Sequence, residues 1–547
     1  MGLMTVASPG YAETPSVQQT LTQQQQNAAR QEQLAPENKS LLSADGNPVT
    51  GELVLPEEQP CYLINKINIE NKNSVAHWMS FSDIKKKVEG QCIGVKGVKS
   101  IHTAIQNRLI SHGYITTRVL LPEQNLSSGN LTLNIMPGKI ENIVIKDTTR
   151  ATVHEANNFP EKKGDVLDLR GLEQAIENLQ RVPGSTAEIN LLPGTTPGET
   201  LVEVTRNQPK RWRLGAWTDD SGSKYTGRNQ GGLALYLDNP LTLNDMFYIA
   251  YGGGLKNEDG RRSDNVSAWY SVPWGYWLLE LNAAQYRYTQ TIHSGDFSYL
   301  YSGDDKLLIA QLSRVIFRNA SQKTTLGFKV IKRDSSYHLN DVEVEVQHRD
   351  TTNWKFSLEH QAYFSLGNLK LNLAYQHAVK WFGEKADAEE ISGSADAAAR
   401  ILTMSVDGSF PFKLGNLLMS YEPHFIKQYS PDRLTQPDKF TIGNRWTVRG
   451  FDGETTLYAD KGWYQRNDIN LNLPSLGMQP YLGFDYGEVS GSDNDYWNGQ
   501  HIAGAAIGIR GVKGKIGYDI FAGVPVLKPH EMSVSPYTVG FSLRWEF

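Results

Sequence analysis

The sequence predicts a transmembrane antiparallel β-barrel of about 16 strands, preceded by two small α+β domains and an N-terminal helix. Three observations carry this expectation. From about Arg211 to Phe547 apolar and polar residues alternate, aromatic side chains recur on the apolar face, and short Pro/Gly turns alternate with long polar loops. Upstream, one pattern of about 70 residues occurs twice. Finally, no stretch approaches the roughly 18 apolar residues of a transmembrane helix, which leaves strands as the membrane-crossing element.

Residues 1–12 belong to "MGLMTVASPGYAETPS". This stretch has no basic start, but it has a short apolar run and the small residues Gly10 and Ala12 before Glu13. It reads either as the remnant of a secretory signal peptide or as an ordinary flexible N-terminus. Residues 13–34 read as a helix, with Thr14 as N-cap and Pro15 at the first helical position. The helix is Gln-rich and almost without an apolar stripe, so it suits water rather than a core. Two readings stay open: a plug in a water-filled lumen, or a disordered tail. Residues 35–58, with Pro36, Gly46, Pro48, Gly51 and Pro56, read as a linker.

The repeated modules span 59–137 and 138–208. "AIQN" at Ala104–Asn107 returns as "AIEN" at Ala175–Asn178, and "LLP" at Leu120–Pro122 returns at Leu191–Pro193, both 71 residues later. At the same offset Leu131 and Leu133 meet Val202 and Val204. Each module runs strand, helix, then two short strands. The first helix, Val98–Gly113, places Ile101, Ile105 and Leu109 on one face; the second, Leu169–Val182, places Leu172, Ile176 and Leu179 there. The strands around Ile115–Leu121 and Ala187–Leu192 are candidate sheet edges, open to an added strand or simply closing their own sheets. The chain's two cysteines, Cys61 and Cys92, both fall in the first module. Neither CxxC nor HExxH spacing is present, so a disulfide in an oxidising compartment is expected over two free thiols.

Residues 209–547 form the barrel, in which about 20 residues per strand and connection give about 16 strands and a lumen wide enough for water. In "YTVGFSLRWEF" Tyr537, Val539, Phe541, Leu543, Trp545 and Phe547 take one face. A long loop at about 428–462 carries "NRWTVRGFDGE", in which Trp446, Val448 and Phe451 sit among glycines and charges. Lys and Arg number 54 against 59 Asp and Glu, a net charge of -5 that argues against nucleic-acid binding. No G-x-S-x-G, P-loop or zinc spacing is found, so no enzyme, cofactor or metal is expected. A passive porin would explain the barrel but neither module.

In this order the chain resembles the outer-membrane transporters of two-partner secretion, the ShlB/FhaC/HecB type of the Omp85 superfamily. The resemblance covers the helix, the linker, two modules that look like POTRA domains, and the barrel. "VRGF" (Val448, Arg449, Gly450, Phe451) resembles the family's loop-6 motif, and "GFDYG", with Gly483, Phe484 and Gly487, resembles the barrel-wall motif facing it. The resemblance implies a bacterial outer-membrane transporter with its N-terminal domains in the periplasm. It implies capture of a large, unfolded exoprotein (a haemolysin, haemagglutinin or growth-inhibition toxin) and export through the lumen. An outer-membrane insertase is the alternative; its relatives usually carry more such domains. Lipid and the barrel-assembly machinery are expected partners, with Phe547 as the assembly signal. Leu482, Phe484 and Tyr486 should face lipid, which turns Asp485 inward. If the long loop folds into the lumen, Arg449 meets Asp485 there.

Overall fold

Residues 15–35, 53–75, 79–149, 152–256, 260–294, 297–384, 386–491 and 500–547 are described by the structure, a computed structural model. The signal-peptide reading of 1–12, the capping residue Thr14 and most of the linker lie outside these residues. No described helix is long and apolar enough to cross a membrane.

In the first module Lys66–Glu70 lies parallel to the central strand Asn130–Met136, with Arg118–Leu120 antiparallel on its other side. The helix Val95–Ser111 packs Ile101, Ile105 and Leu109, all buried, against Leu131, Leu133 and Ile135. The second module repeats the arrangement: Lys139–Asp147 is parallel to Glu199–Asn207, and Thr186–Pro193 is antiparallel at the far edge. Val202 and Val204, the counterparts of Leu131 and Leu133, are likewise buried in the central strand. On the helix Leu169–Gln180 the core face is Leu172, Ala175 and Leu179, while Ile176 is only half-buried. Asp168 caps this helix by accepting from Arg170 N.

The first module contains more than the expected pattern. A short helix, Ser82–Val88, buries Ile84 and Val88 one turn apart, a signal masked by the run Lys85–Lys87. Arg108 donates to both Asp83 oxygens at 2.6 and 2.5 Å, tying this helix to Val95–Ser111. That bidentate pair holds the Asp83 carboxyl down at about 2. The module's first strand is split in two, Tyr62–Ile64 and Lys66–Glu70: Tyr62–Ile64 pairs with Gln91–Ile93, where Cys61 and Cys92 are joined by a disulfide.

The barrel is closed and antiparallel, running from Trp212–Asp219 to Thr538–Glu546 through sixteen long strands, with the two-residue strand Val342–Glu343 extending one hairpin. Alternation decides the faces. Leu233, Leu235, Ile249, Tyr251, Leu279 and Leu281 are exposed outward, while Tyr236 and Tyr248 are buried inside. First and last strands meet over five residue pairs, Asp219↔Ser542 to Gly215↔Glu546, fewer than any other two long neighbours. Several strands outrun the expected loops. Arg261–Trp274 begins in the polar run Arg261–Asn265, held by the cross-strand contact of Arg287 with Asp264 at 2.7 Å. The strand Leu417–Tyr429 and the strand Lys461–Leu471 pair directly, and the chain between them turns into the barrel.

Candidate functional site

The connection between Tyr429 and Lys461 holds a small hairpin, Phe440–Ile442 against Leu457–Ala459. Its tip carries Arg445, Val448, Arg449, Gly450 and Phe451. Apolar residues keep the loop inside. Val448 is 0% and Phe451 2% exposed, packed with Ile442, Tyr464, Val489 and Ile502. A loop at the barrel rim would leave these side chains in water; inside, their burial stabilises the inward position.

The strand Met478–Ser490 supplies the acceptor. Phe484 is 51% exposed and points out, so Asp485, at 0%, points in. Arg449 binds it three times: backbone N to Oδ2 at 2.9 Å, Nε to Oδ2 at 2.7 Å, and Nη2 to Oδ1 at 2.7 Å. The same Nη2 donates to Asp468 Oδ1 at 2.5 Å on the neighbouring strand. The second Asp468 oxygen accepts from Arg510 at 3.2 Å, and Arg510 also reaches Glu422 and Asn470, both at 2.8 Å. The Tyr481 ring lies between the two guanidinium groups, with Cζ of Arg449 and Arg510 5.7 and 5.0 Å from its centroid. The cluster is therefore a chain of alternating charges across four strands, in which Arg449, Asp485 and Asp468 are shielded from bulk water and Arg510 and Glu422 are half-buried.

The glycines make room for it. A Cβ on Gly483 would stand 2.5 Å from the Arg449 guanidinium, and one on Gly487 would stand 3.0 Å from Val448. Gly450 has φ +98°, and a side chain there would meet the backbone of Val524 at 2.4 Å. The spacing of "GFDYG" follows: a carboxylate flanked at two residues on each side by positions with no side chain, all three facing the loop.

Asp468, Arg510 and Tyr481 did not figure in the sequence reading. A signal existed for Asp468, since Ile469 and Leu471 on the outer face turn it inward. Arg510 sits by the same logic beside Ile509. Arg445 is a further link: it donates to Asp220 Oδ1 at 2.8 Å and to Phe541 O at 3.2 Å, bridging the first and last strands.

The N-terminal helix, Pro15–Leu34, lies within the barrel against this loop. Gln25 donates to Thr441 O at 3.0 Å and accepts from Asn444. Gln26 reaches Ser221 at 2.8 Å and Gln31 reaches Asn282 at 3.2 Å. Arg30 pairs with Asp219 and covers the Trp217 ring at 5.0 Å, while Leu34 packs on Tyr236 and Tyr248. Glutamines on a polar wall explain a helix without an apolar stripe.

The second module is fixed to the short-turn end of the barrel. Buried Arg181 donates to Ser271 Oγ at 2.5 Å and Asn244 O at 3.2 Å. Arg318 reaches Gln174 and Glu177, and Asn178 donates to Gly275 O at 2.8 Å. Burial brings the Arg181 guanidinium down to about 10. Glu161 lies against Gly171 at this joint; burial first, then the charges of Asp168 and Asp165, push its carboxyl up to about 8. Phe547 closes the seam: its N donates to Leu214 O at 2.8 Å, and its ring stacks on Trp545.

Residues 198–511 match the family model described as haemolysin secretion/activation protein ShlB/FhaC/HecB. Residues 62–138 match a ShlB-type POTRA domain and 139–193 a POTRA domain. The outer membrane transporter CdiB-2 of Burkholderia pseudomallei (strain 1026b) is 33% identical over 513 residues, covering 90% of this chain and 88% of that protein. The hemolysin transporter protein ShlB of Serratia marcescens is 26% identical over 410 residues, covering 74% of this chain and 72% of that protein. Among solved structures, CdiB from Escherichia coli superposes with a TM-score of 0.86 at 26% identity, covering 98% of this chain and 99% of that one.

Proposed function

The chain belongs to the haemolysin secretion/activation protein family ShlB/FhaC/HecB, and we propose from that premise how its parts carry a polypeptide across the outer membrane. It is an outer-membrane transporter of two-partner secretion. It captures an unfolded large exoprotein in the periplasm, where its two POTRA domains stand, and exports it through its barrel. The match over nine-tenths of the chain to a named transporter carries this reading, and nothing comparable supports an insertase.

In our reading, residues 59–137 and 138–208 are the two capture domains and 209–547 the barrel. The exoprotein, of the haemolysin, haemagglutinin or growth-inhibition toxin class, adds as a strand to the module edges Arg118–Leu120 and Thr186–Pro193. Each of those strands has one sheet neighbour. Main-chain hydrogen bonds then give affinity with little sequence demand. The N-terminal helix blocks the resting lumen and leaves before export. Arg449 with Asp485 holds the loop in its export-competent position, and folding of the exoprotein outside prevents its return. Catalysis has no part in this scheme. Lipid surrounds the outward face, and Phe547 is the signal read by the barrel-assembly machinery.

The test is secretion of a large exoprotein of the two-partner class co-expressed with this chain, with the chain present or deleted. Export that persists after deletion contradicts the reading.

A further inference from the structure

Above the second module, a cavity of about 1420 Å³ is enclosed by the helix Leu169–Gln180, the C-terminal end of the N-terminal helix and the short-turn half of the barrel. On one wall a single row crosses four neighbouring strands. Glu280 stands opposite Gln311, Gln311 opposite Lys329, and Lys329 opposite Lys355. All four side chains line the cavity.

The row carries two ammonium groups on directly opposed positions, an arrangement that repels. Other lysines of the same wall have acids within reach: Lys323 meets Glu177 at 3.1 Å and Lys370 meets Glu359 at 3.9 Å. Lys329 and Lys355 make no ion pair or hydrogen bond among the described residues. The acid on their own row, Glu280, is two strands away and accepts from Gln311 at 3.1 Å. The pair therefore presents two half-buried cations, side by side, to a space with less water than bulk. A group with one negative charge and two oxygens matches it: each oxygen can accept from one ammonium, and the mutual repulsion is relieved.

We propose that Lys329 and Lys355 form a carboxylate-binding site that takes the Asp and Glu side chains of an extended peptide entering the lumen. That the occupant is a peptide in transit rests on the export reading; the carboxylate chemistry does not. The site draws acidic segments off the second module and onto the wall, and its hold weakens with salt.

The probe is a fluorescent decapeptide of alternating Glu and Ser, compared with its Gln/Ser counterpart. Anisotropy is read on the detergent-solubilised full chain at low ionic strength. The Glu peptide should bind at least about tenfold tighter than the Gln peptide. Lys329→Gln with Lys355→Gln should remove that preference, while Lys85→Gln with Lys86→Gln, on the first-module helix, should leave it. Heat-modifiable migration reports barrel assembly. Removing a repulsion is compatible with assembly, and Lys355→Gln alone carries the same test if the double variant does not assemble. Equal binding of both peptides, or a preference that survives the substitutions, overturns the site. Loss of preference with secretion intact shows that export does not use it, and overturns the hand-over of acidic segments without touching the export reading.

Discussion

Arg449 is held by two carboxylates, Asp485 and Asp468, and each is buried. Arg449→Ala leaves Asp485 without its guanidinium and Asp468 with Arg510 alone, and stranding a buried charge costs about 3–5 kcal/mol. We expect Arg449→Ala and Asp485→Ala to loosen the loop and to abolish most export while the barrel assembles; limited proteolysis of the loop and secretion measure the two effects. Exchanging the charges does not rebuild the site, because the carboxylate of Arg449→Asp would face Asp468. Normal secretion by both single variants would show that the loop needs no such anchor. A second residue sets a pH dependence. Glu161 has an ordinary value of 4.5 and stands at about 8 in the folded chain. A raised carboxyl favours the folded state fully below its unfolded value, and that contribution is lost as pH rises through the folded one. The folded second module should therefore lose stability as pH rises from about 4.5 to about 8 and stay level above that. Thermal unfolding across this range should fall in the wild type and flatten in Glu161→Gln; parallel curves would contradict the assignment. Asp165, Asp168 and Tyr276 are the titratable neighbours to control for.

Among the elements, the N-terminal helix rests on polar contacts that water can replace: Gln25, Gln26 and Gln31 to the loop and wall, and Arg30 to Asp219. Such contacts hold an element without fixing it permanently. Deleting residues 15–34 should raise ion conductance in planar bilayers and leave secretion largely intact; unchanged conductance would mean that the helix does not block the lumen. In the first module the disulfide closes a separation of 31 residues. The chain-entropy model assigns it roughly 3–4 kcal/mol. Cys61→Ser with Cys92→Ser should lower the first module's denaturation midpoint accordingly, read by hydrogen exchange of Val95–Ser111; no change would place its stability elsewhere. Element type was legible where a period was sustained, as in the faces of Val95–Ser111 and Met478–Ser490. The helix Ser82–Val88 escaped because seven residues with three lysines hold only two core positions. The length of the strands escaped because, beyond the lipid, polar cross-strand pairs replace the apolar stripe that marks a strand.

For the whole molecule, alternation and loop lengths were enough to give a closed barrel, and a repeat at one offset was enough to give two modules. Contacts between distant segments were less legible. Arg449 and Asp485 could be paired because one motif was charged and the other had a known facing. Arg510, Glu422 and the Arg445 bridge to the seam depend on which strands the loop lies beneath, and local sequence does not encode that. The central claim is that the polypeptide travels inside this barrel, and adjacent residues on one strand can test it. Ser357 lines the cavity, while Leu358 faces outward. A photo-crosslinking residue placed at each position, with the exoprotein stalled in transit, decides the route. Adducts at Ser357 and none at Leu358 are predicted; adducts at Leu358 alone, or at neither with export active, would contradict passage through the lumen.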